Sequence, residues 1–363
     1  MHTQSKFRLL VVRLSAMGDI LHALPAVTAL RQAHPGWVID WVVEPRWRAL
    51  LAADFSESGQ SLRQPLSTQP LVDNLHLAST KKWRNRPFTD QTIREIAALR
   101  RSLKAGRYDA VLDLQGAIRS AVVGRLAGCR RLIGEADPRE RAAKWLFTER
   151  VATHSPHMIE QGLELAGAVV GEELWPVRPW LPVDPTVEAW AKEVLPAPAS
   201  HPAVLINPGA GWGAKRWPVE RYAAVAKALN ERGLRVLVNA GPGEEPLAEA
   251  VAQQSGGAAT SLACSVGQLI ALTRRVSLAI AGDTGPLHLA CALGRPVVGI
   301  YGPTDPSRNG PFGTNFRVLR SPQSRRDHTR HAAPEAGLLT IQPEDVLQAA
   351  EELLARLTKE NAS

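Results

Sequence analysis

Short apolar runs alternate with helix-length amphipathic segments along this chain, and after a proline-rich interruption the alternation starts again. In the first half the runs are RLLVVR at 8–13, VIDWVV at 38–43, YDAVLDL at 108–114 and RRLIG at 130–134. The clearest helix among them is QTIREIAALRRSLKAG at 91–106, whose apolar residues recur at three- and four-residue spacing and which ends at a glycine. In the second half AVLIN (203–207), LRVLVNAG (234–241), VSLAIAG (276–282) and PVVGIYG (296–302) read as buried strands. Helices are expected between them over 219–231, 245–254, 266–274 and 285–293. Alternating βα units with continuous apolar strands predict α/β domains, each built on a parallel sheet covered on both faces.

The interruption, LWPVRPWLPVDPTVEAW at 174–190 running on to LPAPASHP at 195–202, has the composition of a linker. A chain of 363 residues also exceeds what one core usually spans. The expected division is a domain over 1–175, a linker over 176–202, a second domain over 203–340 and a terminal helix over 341–363. That helix, opening at TIQPEDVLQAAEELLARL, has no strand after it and must dock on one of the domains, with the N-terminal one as a candidate surface. Two such domains leave a cleft between them, and parallel sheets bind ligands beyond the carboxyl ends of their strands.

Composition narrows the partners without choosing one. Lysine and arginine total 43 against 35 acids, a net charge of +8, which favours anionic ligands: nucleotides, phosphorylated glycans, anionic membrane surfaces or nucleic acid. No apolar run approaches the ~18 residues that span a bilayer, and the N-terminal apolar stretch is too short for a signal peptide. Cys129, Cys264 and Cys291 are odd in number and far apart, as expected of reduced thiols in a cytoplasmic protein. There is no zinc-ligand spacing and no Asp-x-Asp pair, so no metal site is expected.

Three turns at strand carboxyl ends carry candidate chemistry. In RLSAMGDILHALPAV, 13–27, a strand meets a small-residue turn and then a helix with Asp19 at its start. Asp19 fits first a helix cap, a role Ser15 could also fill, and second a general base at the mouth of a cleft. In NPGAGWGAKRWP, 207–218, three glycines and Lys215 suit an anion held by backbone amides, or else a flexible surface loop; Arg216 after the lysine rules out a Walker loop. In AGDTGPLHLACALG, 281–294, Asp283, Thr284 and Gly285 open a helix that carries His288, giving a second phosphate-type turn or a simple cap. Two anion-type turns in one domain point to a diphosphate ligand. The run TKKWRNRP at 80–87 sets Lys81, Lys82, Arg84 and Arg86 around Trp83, which fits a solvated loop, a phosphate-bearing acceptor or, more weakly, nucleic acid. A Rossmann oxidoreductase is disfavoured, because no GxGxxG follows the first strand. A non-catalytic nucleotide-binding protein stays open at this level.

Five segments together, SAMGDILHALPA, DWVVEP, YDAVLDLQGAIRSA, NPGAGWGAKRWP and AGDTGPLHLACALGRPVVGIYGPTDP, resemble glycosyltransferase family 9, and its type I heptosyltransferase branch more than its type II branch. The resemblance implies a GT-B architecture of two Rossmann-like domains facing across a cleft. It implies inverting, metal-independent transfer, with no cofactor, from ADP-L-glycero-D-manno-heptose to the Kdo sugar of Kdo-lipid A. A type II-like acceptor is the alternative within the family. Position by position, it makes Asp19 the general base and Lys215 the ligand of the donor phosphate. Glu245 would hold the ribose hydroxyls, and Asp283, Thr284, Gly285 and His288 form the rest of the donor site. Arg13, Lys81, Lys82, Arg84, Gln115 and Arg119 fall on the acceptor side. Where relatives carry hydroxyl residues before the phosphate lysine, this chain has Ala210 and Gly211, so backbone amides are expected to replace those contacts. No nucleic-acid partner is implied, and membrane contact would be peripheral, at the cytoplasmic face.

Overall fold

The computed structural model describes residues 6–53, 71–196, 202–326 and 332–360, and divides into two compact units, Met1–Pro182 and Val183–Ser363. The first contains strands β1 (Arg8–Val12), β2 (Val38–Val43), β3 (Asn74–Leu77), β4 (Ala110–Asp113), β5 (Leu132–Glu135) and β6 (Glu149–Val151). Its helices are α1 (Met17–Ala33), α2 (Thr80–Asn85), α3 (Asp90–Ala105), α4 (Ile118–Leu126) and α5 (Met158–Val170). The second contains β7 (Ala203–Asn207), β8 (Arg235–Ala240), β9 (Ala259–Ala263), β10 (Leu278–Gly282), β11 (Val297–Tyr301) and β12 (Phe316–Arg320). With them run α6 (Pro185–Val194), α7 (Val219–Glu231), α8 (Glu245–Gln254), α9 (Val266–Thr273), α10 (Gly285–Ala292), α11 (Pro306–Asn309) and α12 (Pro343–Glu360).

Each unit folds on a six-stranded parallel sheet, ordered β3-β2-β1-β4-β5-β6 in the first and β12-β11-β10-β7-β8-β9 in the second. Counted within its own unit each is the 3-2-1-4-5-6 order of a doubly wound Rossmann sheet. The inner strands explain their own placement. Leu9 through Val12, Leu278, Ile280, Val297 and Val298 are fully buried, because helices cover both faces. In the first unit α1 packs closely against α5, and it is buried nearly all round and shows almost no amphipathic stripe. In the second, Trp217, Tyr222, Leu229, Val251 and Leu353 close one face of the sheet.

A polar clamp holds α3 to the first sheet. Tyr108 donates to the buried Asp40 carboxylate at 2.6 Å, Asn74 donates to its other oxygen at 2.9 Å, and the His76 ring bridges Tyr108 and Ser102 of α3. Burial would raise the Asp40 carboxyl, but the bonds from His76, Tyr108 and Asn74 hold it below the usual carboxylate range.

Two expectations about organisation change. The proline-rich stretch carries helix α6, capped by Asp184 with Pro185 at its first position, and α6 packs on α9 of the second unit. Pro185 reads as a chain breaker from composition, yet proline suits the first turn of a helix. The terminal helix α12 packs on α7, β11 and β12, so it docks on the second unit, because the apolar stripe of Val346, Ala350 and Leu353 completes that core. Part of the expected linker, 197–201, lies outside the described residues.

Candidate active site

In each sheet the strand order reverses once, between β1 and β4 in the first unit and between β7 and β10 in the second. The loops that leave such a pair of strands diverge to opposite faces, and the crevice at the carboxyl ends between them is where doubly wound sheets hold ligands. The turns singled out in the sequence, other than 80–87, leave these four strands or, for Glu245, the neighbouring β8.

In the first unit the β1–α1 and β4–α4 turns are laced together. The backbone N–H of Leu14 donates to the Gln115 side-chain oxygen at 2.8 Å, and Arg119 donates to the Ser15 hydroxyl at 2.9 Å. Asp19 sits in the first turn of α1. One of its oxygens accepts from the N–H of Ala16 at 2.9 Å, and the other lies 3.0 Å from the Arg13 guanidinium. Asp19 therefore caps its helix and still presents its carboxylate, with the side chain 37% exposed. Ser15, offered as the alternative cap, has its hydroxyl turned to Arg119 instead.

The acceptor-side cations divide. Arg13 is buried, with its guanidinium on Asp19 and the Leu114 carbonyl, because the β1–α1 turn folds it against the adjoining β4–α4 turn. Lys82 is paired with Glu95 at 2.7 Å, and Trp83 donates to the same carboxylate. Lys81 and Arg84 are exposed on the short helix α2. That helix is tied to the site by a residue the motifs did not single out. The buried Glu44 carboxylate accepts from the Thr80 hydroxyl and from the N–H of Lys81, while its own N–H donates to the Leu14 carbonyl at 3.1 Å.

Asp113 was also passed over. It ends β4, is buried, and accepts from the N–H groups of Gln115 and Gly116 at 2.8 Å each. Burial pushes its carboxyl up to about 6, against the pull of those bonds and of Arg13. Gly116 has φ +62°, and a Cβ there would press on the Arg139 backbone nitrogen at 3.2 Å, so the turn requires glycine.

In the second unit Lys215, Asp283 and His288 form one buried cluster. The Lys215 ammonium lies 2.5 Å from one Asp283 oxygen, and the His288 ring is 3.2 Å from the other. Burial alone would raise the Asp283 carboxyl; the His288 and Lys215 contacts reverse that and hold it well below the usual range. Of the three Lys215 donors two are directed at Asp283, on its carboxylate and on its carbonyl at 3.3 Å, and the Trp212 ring stands 4.9 Å from the ammonium. One donor stays available for a ligand anion. Thr284 precedes α10 without capping it; its hydroxyl donates to the Gly282 carbonyl, so its side chain leaves the amides that begin at Gly285 uncapped.

The glycine-rich loop is packed, not a loose surface segment: Ala210, Ala214 and Trp217 are buried. The Ala210 N–H, expected to face a phosphate, is committed to Glu244 at 3.2 Å, and Arg216 reaches the same carboxylate at 3.0 Å. Glu244 thus joins this loop to the β8–α8 turn, while the neighbouring Glu245 accepts from the N–H of Gly243 at 2.8 Å. The loop is also buttressed from the 332–337 segment. The N–H of Glu335 donates to the Ala214 carbonyl at 3.2 Å, and a Cβ on Gly213 would lie only 1.6 Å from the Ala332 carbonyl oxygen.

Two Rossmann-ordered units with these site turns make the chain an α/β protein of the GT-B glycosyltransferase class. The profile of glycosyltransferase family 9 (heptosyltransferase) matches residues 96–338, and the chain belongs to that family. Lipopolysaccharide heptosyltransferase 1 of Escherichia coli K12 is 30% identical over 320 residues, covering 87% of this chain and 94% of that protein. Lipopolysaccharide heptosyltransferase 2 of the same organism is 27% identical over 373 residues, covering 98% and 100%. The structure of E. coli heptosyltransferase WaaC with ADP-2-deoxy-2-fluoro heptose superposes with a TM-score of 0.73 at 28% identity, covering 95% of this chain and 99% of that one.

Proposed function

We propose that this glycosyltransferase moves a heptose from ADP-L-glycero-D-manno-heptose to the Kdo sugar of Kdo-lipid A, with inversion at the anomeric carbon. The observation that carries the reading is the half-exposed Asp19 carboxylate at the first switch point, steered by Arg13 and by the Ala16 amide. The acceptor hydroxyl is a weak nucleophile, and a carboxylate within hydrogen-bond reach takes its proton as the new bond forms. ADP departs as negative charge grows on its terminal phosphate. Lys215, already oriented by Asp283, and the open amides at the start of α10 stabilise that charge without rearranging. Glu245 is assigned to the ribose hydroxyls. Arg119, Gln115, Lys81 and Arg84 are assigned to the anionic acceptor.

Relatives named for lipopolysaccharide heptosyl transfer, and a related structure holding an ADP-heptose analogue, support the donor and the reaction class. Among the described residues no helix is long and apolar enough to cross a membrane. A lipid-borne acceptor would then be met peripherally, with the net charge of +8 favouring an anionic surface.

The test is incubation with ADP-heptose and Kdo-lipid A followed by mass spectrometry for one added heptose. Addition only to an acceptor that already carries heptose would replace this reading with the type II one. Asp19→Ala is expected to abolish transfer and leave ADP affinity nearly unchanged, measured by titration calorimetry. Substantial residual transfer in that variant rejects the base assignment.

A further inference from the structure

At the end of β4, beside the turn that carries Asp19, lies a second acid with no assigned role. Strand register pairs Val12 with Asp113, so Arg13 and Asp113 leave neighbouring strands at the same level of the sheet. Both are at least nine-tenths buried. Arg13 directs its two terminal nitrogens to the Leu114 carbonyl and to Asp19, and its Nε has no partner among the described residues. Asp113 accepts two backbone amides on Oδ1, and its Oδ2 likewise has no partner. The charge that bears on Asp113 is that of Arg13, from the β1–α1 turn. Helix α4 offers the neutral Ser120 hydroxyl, which bonds the Ala117 carbonyl and also favours the ionised Asp113 carboxyl, and β5 offers apolar Leu132 and Ile133. Arg119 is turned to Ser15.

We infer that Asp113 is a positioning residue that acts through Arg13 to leave Asp19 free to accept the acceptor's proton; this rests on the reading of Asp19 as the base. A buried guanidinium needs a counter-charge. Were Asp19 its sole counter-ion, protonating Asp19 would leave a bare buried cation, and the transfer step would be opposed. With Asp113 on the neighbouring strand, Arg13 can hold Asp19 by contact while its charge is balanced from there. The proton passes from the acceptor hydroxyl to Asp19, and the charge of Asp113 continues to offset that of Arg13. A purely structural Asp113 would need only Oδ1, which shapes the turn; nothing in that role calls for a charge.

Asp113→Asn separates the two roles, since the amide oxygen can still accept from Gln115 and Gly116 while the charge is lost. Transfer kinetics of the full chain with ADP-heptose and Kdo-lipid A, from pH 5 to 9, are the readout. The expected result is a kcat lower by about tenfold or more with donor KM unchanged. In the wild type kcat should rise through about pH 6, where Asp113 ionises, and the variant should lack that limb. The variant Asp113→Glu keeps the charge while disturbing the turn bonds and should recover kcat and the pH limb relative to Asp113→Asn, an order that a turn-stabilising role would reverse. It also keeps the test open if Asp113→Asn does not fold. Wild-type kcat and an unchanged limb in Asp113→Asn, or a kcat in Asp113→Glu no higher than in Asp113→Asn, overturns the inference while leaving the Asp19 reading standing. An active Asp19→Ala measured alongside overturns both.

Discussion

Asp283 shows what a single buried charge does in this protein. It keeps its carboxylate because Lys215 and His288 contact opposite oxygens, and in doing so it orients the lysine assigned to the donor phosphate. Asp283→Asn leaves the Lys215 ammonium buried with a weaker partner, and should cost about 3 kcal/mol of stability at neutral pH. The pH dependence has a definite sign. The folded-state carboxyl is depressed, so its contribution is complete above about pH 4 and fades as pH falls further, towards the folded-state value. Urea unfolding of wild type and variant should therefore show a gap that narrows below pH 4; a gap constant with pH would deny the ion pair its role. Residues of this kind were partly legible in the sequence. Asp283, Thr284, Gly285 and His288 are contiguous and announce a strand-to-helix turn. The roles of Arg13 and Glu244 were not legible. Whether Arg13 faces solvent or the sheet depends on the pairing of β1 with β4, and which acid of the Glu244–Glu245 doublet meets the glycine loop turns on one residue's rotation about α8.

At the scale of elements, the eight inner strands were recovered from the sequence and the four outer ones were not. β3, β6, β9 and β12 are the edges of the two sheets. An inner strand of a parallel sheet is buried on both faces and reads as a continuous apolar run; an edge strand such as NLHL or ERV is half exposed and carries no such run. Helix α12 illustrates a related limit. The helix itself was legible, but a helix in the sequence does not name the surface it covers. Its packing makes a prediction: Leu353 is buried in the core of the second unit, so Leu353→Ala should cost 2–5 kcal/mol, as buried leucine truncations generally do. Denaturant unfolding that shows a loss below about 1 kcal/mol would mean that α12 is not part of that core.

For the molecule as a whole, the compact units set the boundary near Pro182, twenty residues before the first strand of the second sheet. A fragment beginning at Val183 retains α6, whose Glu188 pairs with Arg274 and whose Ala191 is buried. Such a fragment should fold alone and bind ADP, whereas one beginning at Ala203 should melt several degrees lower by circular dichroism. Equal melting temperatures would show α6 to be a tether only. The 332–337 segment, which no sequence motif singled out, gains a role from the contact of Ala332 with Gly213 and of Glu335 with Ala214. The lysine-bearing loop is thus moulded by chain more than a hundred residues downstream of it. If that loop holds the donor as proposed, evolution or an engineer can retune the grip by editing that distant stretch, without altering any group that touches the ligand.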